Sequence, residues 1–280
     1  RADPPRLLFL FTSGATAEAT LEAVHAAIGT GVPTAGGGLY GFVTHSPDET
    51  TPLATHKGGC VGMMCWPSVE VIGAFCHGLL PTEGLQGRIT KMCGPRTLQE
   101  IDGRPALRVW QEWNPLYSDE LLAEHLRDHP ESELARQGLV DCVNPFEWWF
   151  QKLSEKKRKV FTTLGALEED GSWRVIAPRL LDTKEQTLSL WLKPTAGAKV
   201  ALLSGETDAV RSQTARVVHH ILCASGMQSP HACFTLLCGT YYQLNGDAGM
   251  AALGEQMSEA LGWVPSLCII GGPEFGSTKK

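Results

Sequence analysis

The two ends of the chain carry the same succession of elements, and this constrains the fold more than any other feature of the sequence. Residues 7–11 (Leu-Leu-Phe-Leu-Phe) form a continuous apolar run of strand length. Gly14 breaks it before a helical pattern that places Leu21, Val24 and Ile28 on one face, and Gly29 and Gly31 close that helix. Val32-Pro33 leads into Gly36, Gly37 and Gly38, after which Leu39, Tyr40, Phe42 and Val43 read as a second buried strand. At the other end, 232–237 reads as a strand, 250–261 as a helix stopped by Gly262, and 267–270 as a strand. Val264-Pro265 and Gly271-Gly272 there match the earlier pairs. Two copies of one supersecondary unit imply an internally duplicated chain whose halves pack about a pseudo-twofold axis. The crevice between them is the natural place for a small-molecule site.

Between these ends, strands are expected at 61–65 and 69–75. A hairpin follows over 98–101 and 104–110, turned by Asp102-Gly103, the pair that best tolerates two successive positive φ angles. Ser118 caps a helix bearing Leu121, Leu122 and Leu126. Asn144-Pro145-Phe146-Glu147 combines a cap, proline at the first helical position and a glutamate in the first turn. The segment 119–159 therefore reads as mostly helical. Strands follow at 160–163, 173–176, 188–192 and 200–203, then a helix over 208–223 with Val210, Val217, Ile221 and Leu222 on one face, ended by Ser225-Gly226. The expected fold is α+β in layers: two related halves, 1–140 and 141–280, each a mixed β-sheet flanked by helices.

The 280 residues are 43% hydrophobic and 19% charged, enough apolar surface to offset ordering entropy. A net charge of −6 supplies no positive field for a phosphate backbone, so nucleic-acid binding is not expected. The dense basic run Lys156, Lys157, Arg158 and Lys159 reads as a solvated helix end. The longest stretch without a charged side chain, 217–246, contains His219, His220, His231 and Pro230, so no membrane insertion is expected. Nine cysteines, an odd number at scattered spacings, fit reduced thiols in an intracellular, cytoplasmic protein. The chain opens on Arg1 and Ala2; a transit peptide removed ahead of them would place it in a mitochondrion or another organelle.

Residue chemistry points away from catalysis. Cys60 and Cys65, like Cys233 and Cys238, have four residues between them, a loose match to zinc-ligand spacing, but the second pair sits on opposite faces of a strand. His219 and Cys223 lie one helical turn apart. Core thiols explain these residues better than a metal does, and no metal or cofactor is expected. Cys76-His77 lies in an extended segment, where neighbours point apart, so the imidazole does not serve the thiol as a base. The glycine run precedes a strand instead of opening a helix, so its expected use is close backbone approach, of a ligand or of the other half, and not a phosphate cradle. Trp110, Trp113, Trp148 and Trp149 suit either a core or the anchored centre of an interface.

Three stretches resemble the FIST domain, the F-box and intracellular signal transduction module. Residues 7–12 with 32–44 look like the family's opening strand and its glycine-rich second strand. Within 78–110, Pro81, Gly84, Arg88-Ile89-Thr90 and especially Glu100-Ile101-Asp102-Gly103-Arg104-Pro105-Ala106 are similar to the end of the N-terminal FIST region. Residues 232–272 look like the C-terminal FIST region. The resemblance implies a non-catalytic sensory or signalling protein that binds a small polar metabolite such as an amino acid. The implied site comprises Thr12, Ser13, Gly36, Gly37, Cys238, Gly239 and Glu274, and protein partners would read the ligand-bound state. Two departures stand out. Thr240 and Tyr241 follow Cys238-Gly239 where the family places an arginine, and Pro273 interrupts the closing glycine-glutamate pair. These departures fit the alternative of a structural accessory subunit in a larger protein assembly that has lost ligand binding. Substrate recognition for a ubiquitin ligase would require an F-box that these residues do not contain, and a hydrolase is the remotest reading.

Overall fold

The computed structural model describes residues 5–13, 17–39, 42–44, 54–56, 59–130, 132–145, 148, 160–227, 229–271 and 274–276. Along the chain its elements are β1 (Leu7–Ser13), α1 (Ala17–Ile28), β2 (Thr34–Leu39), β3 (Phe42–Thr44), β4 (Ala54–His56), β5 (Cys60–Cys65), β6 (Leu80–Met92), β7 (Thr97–Ile101), β8 (Arg104–Pro105), α2 (Ala106–Trp113), a 3-10 turn (Pro115–Tyr117), α3 (Asp119–Asp128), α4 (Glu133–Arg136), β9 (Cys142–Val143), β10 (Val160–Leu167), β11 (Trp173–Val175), β12 (Pro178–Asp182), β13 (Thr187–Leu190), β14 (Lys199–Glu206), α5 (Thr207–Ser225), β15 (Cys233–Cys238), α6 (Gly239–Leu261), β16 (Ser266–Gly271) and β17 (Glu274–Gly276). The α+β class holds. The chain forms two compact units, one from Arg1–Cys76 with Arg211–Lys280, the other from His77–Val210. Residue 140 is therefore no boundary. It precedes β9, which pairs with β12 inside the second unit, and the helical signals on either side of it belong to that same body.

In the first unit both chain ends form a strand, a helix and a parallel strand. β1 runs parallel to β2 with Leu8 opposite Thr34, and β15 runs parallel to β16 with Cys233 opposite Ser266. Alternation along β1 sends Leu8 and Leu10 to one face, where with Val32 they bury against Leu21, Val24 and Ile28 of α1 and its flank. Gly29, at φ 85°, closes α1 with its N–H on the carbonyl of His25. On β15, Leu237 packs into a core of Val218 from α5 and Leu253, Met257 and Leu261 from α6. The intervening residues Phe9 and Phe234 meet edge to face, ring centroids 4.6 Å apart, on the sheet faces turned away from those two cores.

The glycine run corrects one expectation. It does not precede the second strand; Gly36, Gly37 and Gly38 are inside it, and Phe42 and Val43 belong to β3, paired with β4. β2 lies between β1 and β17 in a mixed sheet of order β17-β2-β1-β5. Residues of β15 and β16 approach β2 to within 8 Å between Cα atoms. Also, 69–75 forms no strand, and α6 begins at Gly239 and not near 250. α6 bends at Gly246, whose φ of 60° and ψ of −178° interrupt the helix.

The second unit is organised by an antiparallel sheet of order β11-β10-β14-β6-β7-β13-β12-β9, so a mixed sheet occurs in the first unit only. Its turn chemistry follows the sequence closely. Asp102 and Gly103 adopt φ of 50° and 73°, and the Asp102 carboxylate accepts the Arg88 N–H at 2.9 Å. The expected return strand over 104–110 stops after two residues, because α2 starts at Ala106 and buries Leu107 and Trp110. Ser118 caps α3 by accepting from the Leu121 N–H. The core is dense: Leu98, Ile101, Leu107, Leu164, Leu188 and Leu203 have no solvent exposure. The basic run 156–159 and Trp149 lie outside the described residues.

Candidate functional site

Five of the seven residues singled out from sequence fall on three neighbouring strands of the first unit. Thr12 ends β1 beside Gly38 of β2, and Ser13 beside Leu39. Gly36 and Gly37 pair across the sheet with Phe275 and Glu274 of β17, so the last strand comes to lie directly against the glycine run. Cys238 and Gly239 are elsewhere in the same unit, where β15 ends and α6 begins, with Cys238 opposite Gly271 of β16. At both places a strand delivers its carboxyl end into a helix, the position at which α/β units offer backbone N–H groups to polar ligands.

The polar groups at these positions differ in character. Thr12 is fully buried, and its Oγ1 has no protein hydrogen-bond partner. Leaving a buried hydroxyl unsatisfied costs about 1–3 kcal/mol, so such a group marks a place where a polar atom is wanted. Cys238, by contrast, is exposed and occupies the N-cap of α6 without a side-chain capping bond. Gly239 is tightly placed: a Cβ there would meet the Gly271 carbonyl at 3.4 Å. The expected crevice between the two strand-helix-strand segments is occupied by the Phe9 and Phe234 rings at that level; of the strand ends, that of β1 at Thr12 is buried and that of β15 at Cys238 is exposed.

The remaining chemical candidates separate on geometry. His77 accepts the Leu79 N–H at Nδ1 (3.1 Å), so its proton is on Nε2, which donates to the Trp173 carbonyl at 2.7 Å. With both ring nitrogens committed to backbone, neither is directed at Cys76. The Cys76 thiol accepts instead from Gln213 at 3.8 Å, and close packing around the sulfur pushes its pKa up. Cys142 is buried, and desolvation, with the charges of Asp182 and Asp141, pushes it up to about 11, the wrong direction for a nucleophile. His219 Nε2 and Cys223 Sγ are 3.7 Å apart on α5. Among the described residues, no group of three or more His, Cys, Asp or Glu side chains is arranged to hold a metal ion. Also among them, no helix is long and apolar enough to cross a membrane.

In the second unit, two of the tryptophans that suit either a core or an interface, Trp110 and Trp148, pack in the core on a residue the sequence does not mark, Tyr117. Trp110 and Tyr117 face each other at 5.8 Å, Tyr117 and Trp148 at 4.8 Å, and both tryptophans are core residues at 2% exposure. Beside them Trp110, Tyr117, Pro145, Phe161, Thr162, Thr163 and Pro178 line a small, partly open pocket. Compared with known proteins, the chain matches no family model, no curated protein and no solved structure.

Proposed function

We propose that the chain is a non-catalytic, FIST-like ligand-binding protein of the sensory or signalling kind, and that its ligand is a small polar metabolite such as an amino acid. The observation that carries this reading is the unsatisfied, fully buried Thr12 hydroxyl at the carboxyl end of β1, on the sheet in which β17 brings Glu274 beside Gly37. The Thr12 hydroxyl supplies a hydrogen bond at the end of β1 beside Ser13, while Gly36 and Gly37, whose backbone is paired on both sides with β1 and β17, contribute the bare surface that lets a ligand approach. The Gly239 end of α6 favours a carboxylate through its N–H groups. Binding would act by population shift, favouring the arrangement in which these groups are satisfied, and a partner protein reads the result. The duplication reading draws support from the shared parallel strand-helix-strand connectivity of the two ends. Nine cysteines, an odd number at scattered spacings, support a reducing, intracellular and cytoplasmic setting, with an organelle as the alternative.

The test is thermal denaturation of the full chain against a panel of amino acids and related metabolites. A ligand at a hundred times its Kd adds ~2.7 kcal/mol, about 5 °C in Tm for a chain of this size, and Thr12→Val should abolish the shift. A panel without any saturable shift removes the sensory reading.

A second reading, a structural accessory subunit that has lost ligand binding, draws on the apolar surface of the first unit. Met63, Trp66, Trp263 and Leu267 are 56%, 56%, 74% and 57% exposed. Native-size fractionation with mass spectrometry separates the readings: an accessory subunit travels in stoichiometric amounts with other chains and shows no metabolite-dependent stabilisation.

A further inference from the structure

We propose that His219 and Cys223 on α5 form a binding site for a divalent metal ion of the zinc class, held by two protein ligands with the remaining coordination positions open. The two residues lie one helical turn apart, so both side chains stand on the same strip of the helix surface. His219 Nε2 and Cys223 Sγ are 3.7 Å apart. A metal bound about 2.0 Å from an imidazole nitrogen and about 2.3 Å from a thiolate, at the tetrahedral angle, separates those two atoms by about 3.6 Å. The pair therefore stands at the spacing one ion requires. Cys223 is an exposed thiol and not a core one, and His219 is exposed beside it, so an ion can reach both.

The core beneath the helix holds the pair in place. Val218, which precedes His219, is buried with Leu237, Leu253 and Met257, and Leu222, which precedes Cys223, packs against the same cluster. These contacts fix the backbone that carries both ligands, so neither turn has to be ordered by the metal. The donor set decides which metal fits. Thiolate and imidazole suit zinc and its neighbours, whereas magnesium and calcium require oxygen ligands. On binding, the Cys223 thiol releases its proton to solvent, and the neutral His219 ring coordinates through Nε2. Among the described residues no third His, Cys, Asp or Glu side chain completes the set. The site is thus of the open kind, in which water or an incoming ligand takes the free positions.

The experiment is a titration of the reduced full chain with cobalt(II), the coloured stand-in for zinc, read by the thiolate-to-metal absorption band in the near ultraviolet. The expected result is a band that saturates at one ion per chain and disappears when zinc is added. That band is lost in Cys223→Ser and needs about tenfold more cobalt in His219→Ala, since losing even an indirect partner of a metal ligand costs about that much. Cys268→Ser, which removes another exposed thiol, leaves it unchanged. A chain without a saturable band overturns the proposal, as does a band that survives in Cys223→Ser or one indifferent to His219→Ala. A thiol merely hydrogen-bonded to the imidazole gives the first of these results, and adventitious binding by the other cysteines gives the second or the third. Should Cys223→Ser fail to fold, His219→Ala still decides.

Discussion

The first unit places the candidate site residues on glycine-rich strand ends over two small apolar clusters, whereas the second buries wide, branched and aromatic side chains almost completely. Among the described residues, eleven of the twelve largest fully buried side chains belong to the second unit, and Leu8 alone to the first. Apolar burial contributes about 25 cal/mol per Å², so the second unit holds most of the stabilisation while the first exposes more of its large apolar side chains. The difference teaches that the region proposed to bind is the one least committed to its own packing, as expected where function competes with stability.

Truncating matched leucines tests this most severely. Leu188→Ala, at a position with no exposure, should cost about 3–5 kcal/mol, and Leu253→Ala in the first unit, at 5% exposure, about 2 kcal/mol. Urea unfolding followed by tryptophan fluorescence reads the first directly, since six of the eight tryptophans lie in the second unit. Equal losses would break the comparison. A pair of glycines gives effects of opposite sign. A Cβ at Gly165 would meet Leu203 Cδ1 at 2.4 Å, so Gly165→Ala should destabilise by ~1–3 kcal/mol. At Gly62 the nearest atoms, from Leu10 and Phe9, are 3.7 Å away, so Gly62→Ala should stabilise by up to ~1 kcal/mol through the unfolded chain. Melting temperatures of the two variants settle the signs.

Smaller effects sharpen the same contrast by showing how little of the second unit's stability resides at its surface. Ser118→Ala removes a long 3.5 Å capping bond and should cost about 0.5–1 kcal/mol in chemical unfolding. Asp119 is held below the usual carboxylate range first by the Arg108 hydrogen bond and then by that of Gln111. A depressed folded pKa contributes stability that is present above the unfolded value and is lost as pH falls through the folded one. Stability against pH should therefore decline slightly below about pH 4, and Asp119→Asn should flatten that decline. Solvent screening keeps the effect at the margin of detection, so a large acid loss removed by this one change would assign the second unit's stability to charge instead of apolar burial.

What could be read from sequence was whatever depends on local chemistry. The Asp102-Gly103 turn, the Ser118 cap, the glycine stops after Ile28 and Leu261 and the two strand-helix-strand ends all fix backbone angles within a few residues. Long-range pairing was not legible. Nothing around Glu274 announces that it will lie opposite Gly37, and nothing near residue 140 shows that 141–210 completes the sheet begun by β6 and β7. β6 escaped notice because its thirteen residues mix charges, a proline and glycines, with Gly84 at a positive φ and bulged pairing to both neighbours. The helix α2 was misread as a strand because its short apolar run after a hairpin turn fits either period. Only burial of Ala106, Leu107, Val109 and Trp110 on one side decides it. For the site, strand ends and glycines were identifiable, but the unsatisfied state of Thr12 is a property of its packing.

Gly246 has a consequence for how this surface can evolve. Its backbone angles are open to glycine alone, so the chain entering α6 at Gly239 and the length anchored by Leu253, Met257 and Leu261 meet at an elbow. Substitutions that re-aim the entrance turn are absorbed at that joint without disturbing the anchor. Any other residue at 246 would hold that elbow only under strain, so the direction in which the entrance faces depends on a single missing side chain.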